Sequence, residues 1–353
     1  MNIAIDISPL TTGHYLQHRV RGTGFYLKNL RLSLAKYYPN HAYLYFQRGK
    51  SLPSDIDIVH YPYFEPFFLT LPLRKKFRSV VTVHDLTPLV FPKHFPPGIK
   101  GRIKWQIQKR SLKRMDAIIA DSESSKKDIV KYAGIPDAKV HVVYLAAGEE
   151  FEEIDKRKAK TAIHDKYGLP DSFVLYVGDA TWNKNLPRLI KAIKKIDIPL
   201  VMTGKTLVDT DIDIHNPWNK DLVEVQRLVK DDTRIMRLGF VPTDDLVSLY
   251  NAATVFAMPS LYEGFGLPIL EAMRCGCPVI TSREGSLPEI GHEGVYYVDP
   301  YNVEDIARGV KEVYSNQKLR TALSKKGRLA SEKFTWKKTV EAVTDVYDAV
   351  FSA

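Results

Sequence analysis

Two glutamates on either side of a glycine loop are the residues whose spacing most clearly predicts chemistry. Glu263 and Glu271 are separated by seven residues in "SLYEGFGLPILEAM", residues 260–273. Pro268 favours the first turn of a helix, because the amide hydrogen that proline lacks would have no partner there. The sequence therefore predicts a helix from about Pro268 to Arg274, with Glu271 about one turn inside it. The two carboxylates can then reach different parts of one elongated polar ligand.

The loop between the glutamates is suited to binding an anion. Gly264 and Gly266 allow positive φ angles and bring backbone amides close to a ligand, and a helix N-terminus adds a partial positive charge. A nucleotide diphosphate sugar has the matching shape, with hydroxyls at both ends and phosphates in the middle. The spacing alone is equally compatible with a surface loop acid at Glu263 and a solvated helix residue at Glu271.

Size and composition indicate a globular protein with two domains. The chain has 353 residues, of which 44% are hydrophobic and 26% charged, and a chain of this length is expected to form two cores. No segment approaches the roughly 20 apolar residues that span a bilayer. The opening stretch "MNIAIDISPL" is typical of a first strand and not of a signal peptide, so we expect a cytoplasmic protein. The net charge of +10 favours polyanionic partners such as nucleotide phosphates, anionic lipid or nucleic acid.

The two cysteines do not indicate a disulfide or a metal. Cys275 and Cys277 are too close together for a comfortable disulfide, and no further ligands accompany them as a zinc site would require. We expect both to be small buried residues. No metal site is predicted.

Strand patterns alternate with helical patterns along most of the chain, which predicts parallel sheets covered on both faces. The expected strands are NIAIDI, AYLYF, DIDIVH, SVVTVHD, AIIAD and KVHVVYL in the first half, and FVLYVGD, IPLVMTG, RIMRLGF, TVFAMPS, CPVITS and GVYYVD in the second. We expect doubly wound domains over residues 1–150 and 151–334, with a helix over 335–353 packing back toward the first. The charged stretch 146–170 would connect them. Ligands of such folds lie beyond the carboxyl ends of the strands.

Two motifs of the first domain follow strands. NIAIDI leads through a long loop to "RGTGFYLKNLRLSL", where Gly22 and Gly24 open an amphipathic helix. This differs from the tight dinucleotide turn, in which G-x-G-x-x-G follows the strand at once, and therefore disfavours a nicotinamide enzyme. "SVVTVHDLTP" places His84 and Asp85 at a strand end. A hydrogen-bonded structural histidine is the alternative there.

Motifs of the second domain also follow strands. After FVLYVG, "DATWNKNLPRLI" places Lys184 and Asn185 at the start of a helix, where a lysine can meet a phosphate that the helix terminus binds. An ordinary surface lysine is the alternative. Gly204 and Lys205 follow the next strand in the same way, and "GSLPEI" supplies another turn after VITS.

A basic segment of the first domain is a candidate membrane surface. Residues 93–114, "KHFPPGIKGRIKWQIQKRSLKR", hold eight lysines and arginines and no acid. Ile99, Ile103, Trp105 and Ile107 lie among these charges, and such a segment can rest on anionic lipid. The alternative is a solvated helix whose apolar residues pack on the sheet.

Taken together, the motifs resemble the retaining glycosyltransferases of "group 1", the glycogen-synthase-like and lipopolysaccharide-type family. The most specific stretch is "PSLYEGFGLPILEAMRCGCPVI", supported by "VGDATWNKNLPRLI", "RLGFVPTDDLVSLYNAATVFAMPS", "TSREGSLPEI", "VTVHDLTPLVFP" and "ADSESSKKDIVKYAGIPDAKVHVVY". The resemblance covers nearly the whole chain. It implies the GT-B fold, in which two Rossmann-like domains face each other across a cleft.

The resemblance also implies roles for residues of the second domain. Glu271 would bind the ribose hydroxyls of the donor, and Lys184 would neutralise its diphosphate beside Asn185. Glu263 would lie by the donor hexose with three amides, those of Gly264, Phe265 and Gly266.

In the first domain, Gly24 would approach the diphosphate, and His84 would contact the donor sugar near the reacting carbon. One departure concerns phosphate charge, because Asp179 and Asn183 stand where many relatives carry an arginine. Lys205 or Arg188 would then substitute.

The implied reaction moves a hexose, with retention, from GDP-mannose or a UDP-hexose to a glycan or lipid-linked acceptor. Neither a metal nor another cofactor is expected, since the nucleotide sugar is a substrate, and no covalent nucleophile is assigned. A sugar phosphorylase on the same fold is the alternative, although no pyridoxal-lysine motif is evident. A basic nucleic-acid-binding protein is disfavoured, because the glutamate pair is unexplained and no nucleic-acid motif is present.

Overall fold

The chain forms two compact units. The structure, a computed structural model, describes residues 1–11 and 20–353. Unit 1 comprises residues 1–146 and 334–353, and unit 2 comprises residues 147–333. The last segment of the chain therefore packs in the same unit as the first.

Unit 1 is built on a six-stranded sheet. Its strands are β1 (Asn2–Asp6), β2 (Ala42–Phe46), β3 (Ile58–Tyr61), β4 (Arg78–Val83), β5 (Ala117–Ala120) and β6 (Val140–Val142). They lie in the order β2-β1-β3-β4-β5-β6, and each neighbouring pair is parallel. All four residues of β5 are buried, as expected for a parallel strand covered on both faces.

Unit 2 contains a second six-stranded parallel sheet. Its strands are β7 (Val174–Val177), β8 (Leu200–Thr203), β9 (Ile235–Arg237), β10 (Val255–Met258), β11 (Val279–Thr281) and β12 (Val295–Tyr297). Their order is β12-β11-β10-β7-β8-β9. The chain runs outward from β7 to one edge and then returns to β10 on the other side of β7. The carboxyl ends of β7 and β10 thus flank the topological switch point, where doubly wound sheets bind ligands.

Helices connect the strands and cover the sheets. In chain order they are α1 (Val20–Tyr37), α2 (Thr87–Val90), α3 (Gly98–Lys113), α4 (Glu123–Asp128), α5 (Lys156–Tyr167), α6 (Leu186–Ile196), α7 (Lys220–Val229), α8 (Thr243–Ala252), α9 (Leu267–Arg274), α10 (Leu287–Gly291), α11 (Val303–Ser315), α12 (Gln317–Ser331) and α13 (Trp336–Ser352). α6 shows why they form. Pro187 lies in its first turn, and Leu186, Leu189, Ile190 and Ile193 are buried at helical spacing.

A chain of buried hydrogen bonds links α13 to the sheet of unit 1. The Tyr347 hydroxyl lies 2.7 Å from His60 Nδ1, and His60 Nε2 lies 2.9 Å from Thr82 Oγ1. Thr82 Oγ1 in turn lies 3.1 Å from the Tyr26 hydroxyl of α1. Burial, with a smaller contribution from His84, lowers the pKa of His60 to about 3. His60 is therefore neutral at physiological pH.

The doubly wound α/β prediction is confirmed. Each of the twelve strand patterns contains a strand, and both sheets are parallel. The helix expected from Pro268 is α9, which begins one residue earlier at Leu267. Cys275 and Cys277 are free and buried, as expected. The charged stretch 146–170 is not simply a connection, because α5 occupies much of it and packs against α8.

Candidate functional site

Lys184 and Glu263 form an ion pair beyond the carboxyl ends of β7 and β10. Lys184 ends a 3₁₀ turn, Trp182–Lys184, that follows β7, and Glu263 follows β10. The lysine Nζ lies 2.9 Å from Glu263 Oε1 and 2.8 Å from Oε2. Ser260 Oγ donates a third hydrogen bond, of 2.7 Å, to Oε1. The lysine side chain is 21% exposed and the glutamate side chain 8%, so neither is an ordinary surface residue.

Backbone hydrogen bonds hold the two loops of this ion pair together. The Leu261 amide donates to the Asn183 carbonyl at 2.7 Å, and Asn183 Nδ2 donates to the Tyr262 carbonyl at 3.1 Å. Asn183 thus links the loops on either side of the switch point. The position of Lys184 relative to Glu263 is fixed by these contacts.

Asn185 directs the chain from the lysine turn into α6. Its φ is +58°, a left-handed conformation that asparagine tolerates better than most residues. Its buried Nδ2 donates to the carbonyls of Pro259 and Pro300 at 2.8 and 2.7 Å, and its Oδ1 accepts from Arg188 at 2.8 Å. The polar atoms of this side chain therefore hydrogen-bond within unit 2.

Glu271 is buried, and its hydrogen-bond partner differs from the partners of Glu263. Its Oε2 accepts a hydrogen bond of 2.9 Å from the Tyr250 hydroxyl of α8, and the residue is 8% exposed. Burial raises the pKa of Glu271 to about 7; the Tyr250 hydrogen bond opposes this shift, and the charge of Glu150 adds to it. The alternative of a solvated helix residue is therefore wrong. Tyr250 was not identified from the sequence, although it stands in the quoted "LVSLYNAATV" stretch.

The glycine loop between the glutamates enters α9 through a left-handed residue. Gly266 has a φ of +103° and precedes the first helical residue, with Pro268 in the first turn. Phe265 is buried, and its carbonyl accepts from Ser286 Oγ at 2.7 Å. Gly264 lies next to Glu263 in the same buried segment. The loop is thus packed into unit 2.

The "GSLPEI" turn supports the glycine loop. A Cβ at Gly285 would lie 2.6 Å from the carbonyl oxygen of Glu263, a separation that only glycine avoids. Ser286 Oγ also donates to that carbonyl, at 3.0 Å. Gly285 and Ser286 therefore fix the backbone from which the Glu263 side chain projects.

Lys205 lies beyond the neighbouring strand, β8, where it is exposed. A Cβ on the preceding Gly204 would come within 2.1 Å of the Gly178 carbonyl, so glycine is required for the loops after β7 and β8 to meet. Asp179 accepts a hydrogen bond of 3.1 Å from the Thr206 hydroxyl. Lys205 therefore stands beside the loop that follows Gly178.

Gly22 and Gly24 lie near the start of the described part of α1, which runs from Val20 to Tyr37. The residues directly before Val20 lie outside the described ranges. Gly24 is buried. The amphipathic helix expected at "RGTGFYLKNLRLSL" is thus present, and the contact of Gly24 with the diphosphate stays a prediction.

His84 follows β4 and contacts the residues that follow the two adjacent strands. Its Nδ1 lies 2.7 Å from Asp121 Oδ2, after β5, and its Nε2 lies 3.2 Å from the carbonyl oxygen of Pro62, after β3. The His84 side chain is 20% exposed and the Asp121 side chain 3%. The histidine is thus well hydrogen-bonded and still partly accessible.

The pKa of His84 is raised above its ordinary value. Burial alone would lower it, and the negative charge and hydrogen bond of Asp121 outweigh burial. Asp85 and the Pro62 carbonyl make smaller contributions in the same direction. Asp121 was not singled out in the sequence, and the available signal was its place directly after the strand in "AIIADSES".

The basic segment forms α3, and its apolar residues divide between two environments. Trp105 packs against the core of unit 1, whereas Ile99 is 80% exposed and Ile103 is 58% exposed. Within the described ranges 1–11 and 20–353, no helix is long and apolar enough to cross a bilayer. The alternative, a solvated helix whose apolar residues pack on the sheet, is therefore wrong for Ile99 and Ile103.

The loop before β4 lies alongside α3. Gln108 Oε1 accepts from the amides of Thr70 and Leu71 at 2.8 and 2.9 Å, and Arg114 donates to the Leu73 carbonyl at 2.9 Å. Leu73 is 59% exposed. Leu73 thus lies at the C-terminal end of α3, away from Ile99 and Ile103. We call Ile99 and Ile103, with the exposed cations Lys100 and Arg102, the α3 surface.

The chain matches two family models. Residues 159–330 match "Glycosyl transferases group 1", and residues 8–147 match "Glycosyltransferase Family 4". The first match covers all six strands of unit 2, and the second covers β2 to β6 of unit 1.

Two curated relatives come from Escherichia coli. Serotype-specific mannosyltransferase WbdA is 32% identical over 268 residues, which are 74% of this chain and 32% of that protein; the aligned part is thus about a third of the length of WbdA. O-antigen chain mannosyltransferase B is 30% identical over 304 residues, 82% of this chain and 75% of that protein.

A solved structure extends the likeness to the whole fold. Alr3699/HepE of Anabaena, in complex with UDP and glucose, superimposes with a TM-score of 0.72 at 16% identity, and the alignment covers 100% of both chains. The chain therefore belongs to the group 1 glycosyltransferases, and its two doubly wound units are the Rossmann-like domains of the GT-B fold.

Proposed function

We propose that this protein transfers a hexose, with retention of configuration, from a nucleotide diphosphate sugar to a glycan or lipid-linked acceptor. The observation that carries the proposal is the grouping of Lys184, Glu263 and Glu271 around the switch point of unit 2. The mannosyltransferase relatives favour GDP-mannose as the donor, and the UDP and glucose of the HepE complex keep a UDP-hexose as the other candidate.

The two glutamates have different tasks in this proposal. Glu271, inside α9, accepts hydrogen bonds from the ribose hydroxyls. Glu263 lies with the amides of Gly264, Phe265 and Gly266 at the hexose. The different partners of the carboxylates support this division, since one carboxylate pairs with an ammonium and the other with a phenol.

Lys184 stabilises the diphosphate as it departs. An ammonium has three donors, so a phosphate can take one of them while Glu263 retains another. The charge that develops on the leaving phosphate strengthens this contact in the transition state. The bound lysine and serine also leave Glu263 poorly placed as a nucleophile, which agrees with a mechanism that has no covalent intermediate.

Asn185, Lys205 and Arg188 act around this centre of unit 2, and Gly24 of unit 1 is assigned a contact with the diphosphate. Asn185 positions Lys184, because its side chain bonds the surrounding loops. Lys205, exposed after β8, and Arg188, in the first turns of α6, provide further positive charge for the diphosphate. Because Gly24 has no side chain, its backbone can come close to the diphosphate.

We propose that the transfer needs neither a metal nor another cofactor. Lys184 and the N-terminus of α9 supply positive charge of the kind that a divalent cation supplies to diphosphates elsewhere. Unchanged turnover in EDTA would support this part of the proposal, and loss of turnover that Mg²⁺ or Mn²⁺ restores would contradict it.

The α3 surface is proposed to bring the protein to an anionic membrane as a peripheral protein on the cytoplasmic side. Ile99 and Ile103 are four residues apart and thus on one helix face, with Arg102 and Lys100 beside them. Apolar residues that insert at the lipid boundary, surrounded by cations that attract anionic headgroups, are typical of interfacial helices. An acceptor linked to lipid would then be presented to unit 1.

The decisive activity experiment follows the anomeric configuration of the product. GDP-mannose and UDP-glucose, each with the enzyme and an added glycan acceptor panel, are monitored by proton NMR for nucleoside diphosphate and a new glycosidic signal. Retention predicts an α-linked product from these α-linked donors. A β-linked product would contradict the mechanism, and phosphate-dependent formation of a sugar 1-phosphate would identify a phosphorylase instead.

A further inference from the structure

The residues that directly follow three adjacent strands of unit 1 meet at one imidazole. Pro62 follows β3, His84 follows β4 and Asp121 follows β5. The carboxyl ends of parallel strands lie at one edge of the sheet, which brings these positions together. The arrangement results from the strand order and not from local sequence.

Both nitrogens of the His84 ring face a hydrogen-bond acceptor. Nδ1 is 2.7 Å from a carboxylate oxygen of Asp121, and Nε2 is 3.2 Å from the Pro62 carbonyl oxygen. A neutral imidazole carries one N–H and cannot donate to both, whereas an imidazolium donates from both. A carbonyl oxygen only accepts, so the contact with Pro62 requires a hydrogen on Nε2. The second proton lies either on Nδ1 or on Asp121.

That proton is expected on the ring. A protonated Asp121 facing a neutral imidazole would satisfy the same contacts, but the ordinary pKa of aspartate, about 3.9, is well below that of histidine, about 6.5. Within the described part of the chain, Asp121 Oδ1 has no hydrogen-bond partner, so His84 is the cation that this buried carboxylate faces. Burial raises the pKa of Asp121, and His84 opposes that shift.

Among the described residues 1–11 and 20–353, the other groups that the structure places around the ring do not supply a competing charge. The Tyr26 ring of α1 meets it edge-on, with centroids 4.9 Å apart, and burial raises the pKa of that phenol further, which keeps it neutral. His60 of β3 is neutral at physiological pH. Asp85, the next residue, accepts from the Thr87 amide and adds a second negative charge that favours the imidazolium.

We propose that Asp121 is a positioning residue that keeps His84 as an imidazolium, whose Nδ1–H donates to Asp121 and whose Nε2–H is shared between the Pro62 carbonyl and the substrate. An imidazolium has no lone pair, so His84 serves as a hydrogen-bond donor and not as the base that deprotonates the acceptor. This catalytic consequence rests on the proposed contact of His84 with the donor sugar.

The first test needs no substrate. The protein is labelled with ¹⁵N-histidine, and long-range proton–nitrogen NMR follows the ring nitrogens from pH 5 to 9, with His84→Gln used for assignment. We expect both His84 nitrogens to be protonated at pH 7 in the wild type. Asp121→Asn keeps the shape of the side chain and removes its charge, so its His84 midpoint is expected at least about one pH unit lower, a tenfold loss of proton affinity.

A matched control removes a different acid of unit 1. The Asp137 side chain is 72% exposed and pairs with Lys126, so Asp137→Asn should leave the His84 midpoint unchanged. A neutral His84 ring in the wild type at pH 7 would overturn the proposal even if Asp121→Asn does not fold. Equal midpoints in the wild type and Asp121→Asn would also overturn it.

The second test links the ring to transfer. If the imidazolium is the active form, kcat/KM falls as pH rises through the His84 midpoint, and Asp121→Asn shows this fall at lower pH while approaching wild-type activity near pH 5.5. An activity that instead requires the neutral ring, and so is lost as pH falls, would contradict the donor role. If the NMR shift is present but the two pH profiles coincide, the proposed role of His84 in transfer is wrong and the coupling to Asp121 remains.

Discussion

The ammonium of Lys184 lies within 2.9 Å of both carboxylate oxygens of Glu263, although 78 residues separate the two positions in the chain. The pair stands between β7 and β10, on the two sides of the switch point of the sheet. A ligand phosphate that reaches Lys184 therefore meets a lysine already oriented by a carboxylate. Binding and transfer are expected to depend on this pair in different ways.

Replacing Lys184 should reduce turnover far more than it reduces nucleotide-sugar binding. Lys184→Ala removes a contact that strengthens as the leaving diphosphate gains charge, so we expect kcat to fall by about 10²–10³-fold. Initial rates of nucleoside diphosphate release measure this loss. The control is Lys195→Ala, because Lys195 forms an exposed ion pair with Glu304 in the same unit. Normal turnover in Lys184→Ala would show that another cation carries the charge.

Nucleotide binding should become tighter as pH rises toward 8. Burial raises the pKa of Glu271 to about 7, so the unliganded carboxyl is partly protonated at neutral pH. Ribose hydroxyls donate to the ionised form, and binding therefore releases a proton. The affinity should rise by up to about tenfold per pH unit below pH 7 and level off above it.

Calorimetry in buffers of different ionisation enthalpy measures that proton release. Glu271→Gln should abolish the release and flatten the pH dependence, since an amide does not titrate. Proton release of the same size in Glu271→Gln would assign the titrating group elsewhere.

Unit 1 should lose stability in mild acid because of His60. The folded-state pKa of His60 is lowered to about 3, and its unfolded value is about 6.5. At pH values between these two pKa values, His60 is therefore protonated in the unfolded chain and neutral in the folded chain. This group lowers the unfolding free energy by about 1.4 kcal/mol per pH unit as pH falls below 6.

Denaturant unfolding of the wild type and His60→Gln at pH 7 and pH 5 isolates this effect. The stability difference between the two proteins should shrink at pH 5, because only the wild type contains His60 and loses stability when the unfolded chain takes up its proton. His215→Gln, at an exposed position of unit 2, is the control. A difference that stays constant with pH would contradict a neutral buried His60.

Much of the fold could be predicted from sequence because the signals were local. Apolar runs such as AIIA and VLYV define buried parallel strands wherever they occur, and Pro268 marks the start of α9. Glu263 and Glu271, which the spacing singled out, are both buried on either side of the glycine loop, and their role as a binding site stays a prediction.

The pairings within the site could not be predicted, because they depend on the order of strands. Nothing local indicates that Lys184 meets Glu263 or that His84 meets Asp121; both contacts arise from adjacent strand ends. The helix expected to open at Gly22 and Gly24 is present as α1, which includes both glycines, because the apolar residues after them recur at helical spacing. The exposure of Ile99 and Ile103 also required the structure, since their spacing fits a buried face equally well.

Membrane association should depend on both the apolar and the basic residues of the α3 surface. Cosedimentation with vesicles of anionic lipid at low salt is expected for the wild type, with release as salt screens the charges. Ile99→Ser with Ile103→Ser should weaken binding at all salt concentrations, whereas neutralising Lys100 and Arg102 should weaken it most at low salt.

The control for the apolar residues is Leu329→Ser, at a position of α12 in unit 2 that is 56% exposed. It should leave vesicle binding unchanged. Equal recovery of the wild type in the supernatant with neutral and anionic vesicles would contradict the membrane proposal and would leave the transferase assignment unaffected.

The most direct test of the central claim is a calorimetric titration of GDP and UDP into the wild type and Glu271→Ala at pH 7.5. The account predicts one site per chain for at least one nucleotide in the wild type. Affinity should fall by about 10–150-fold in Glu271→Ala, which is the loss of one hydrogen bond to a charged group worth about 1.5–3 kcal/mol. Glu293→Ala, at a highly exposed side chain of the same unit, should bind as the wild type does. Absence of binding by both nucleotides, or equal affinity in folded Glu271→Ala, would contradict the assignment of the nucleotide site to unit 2.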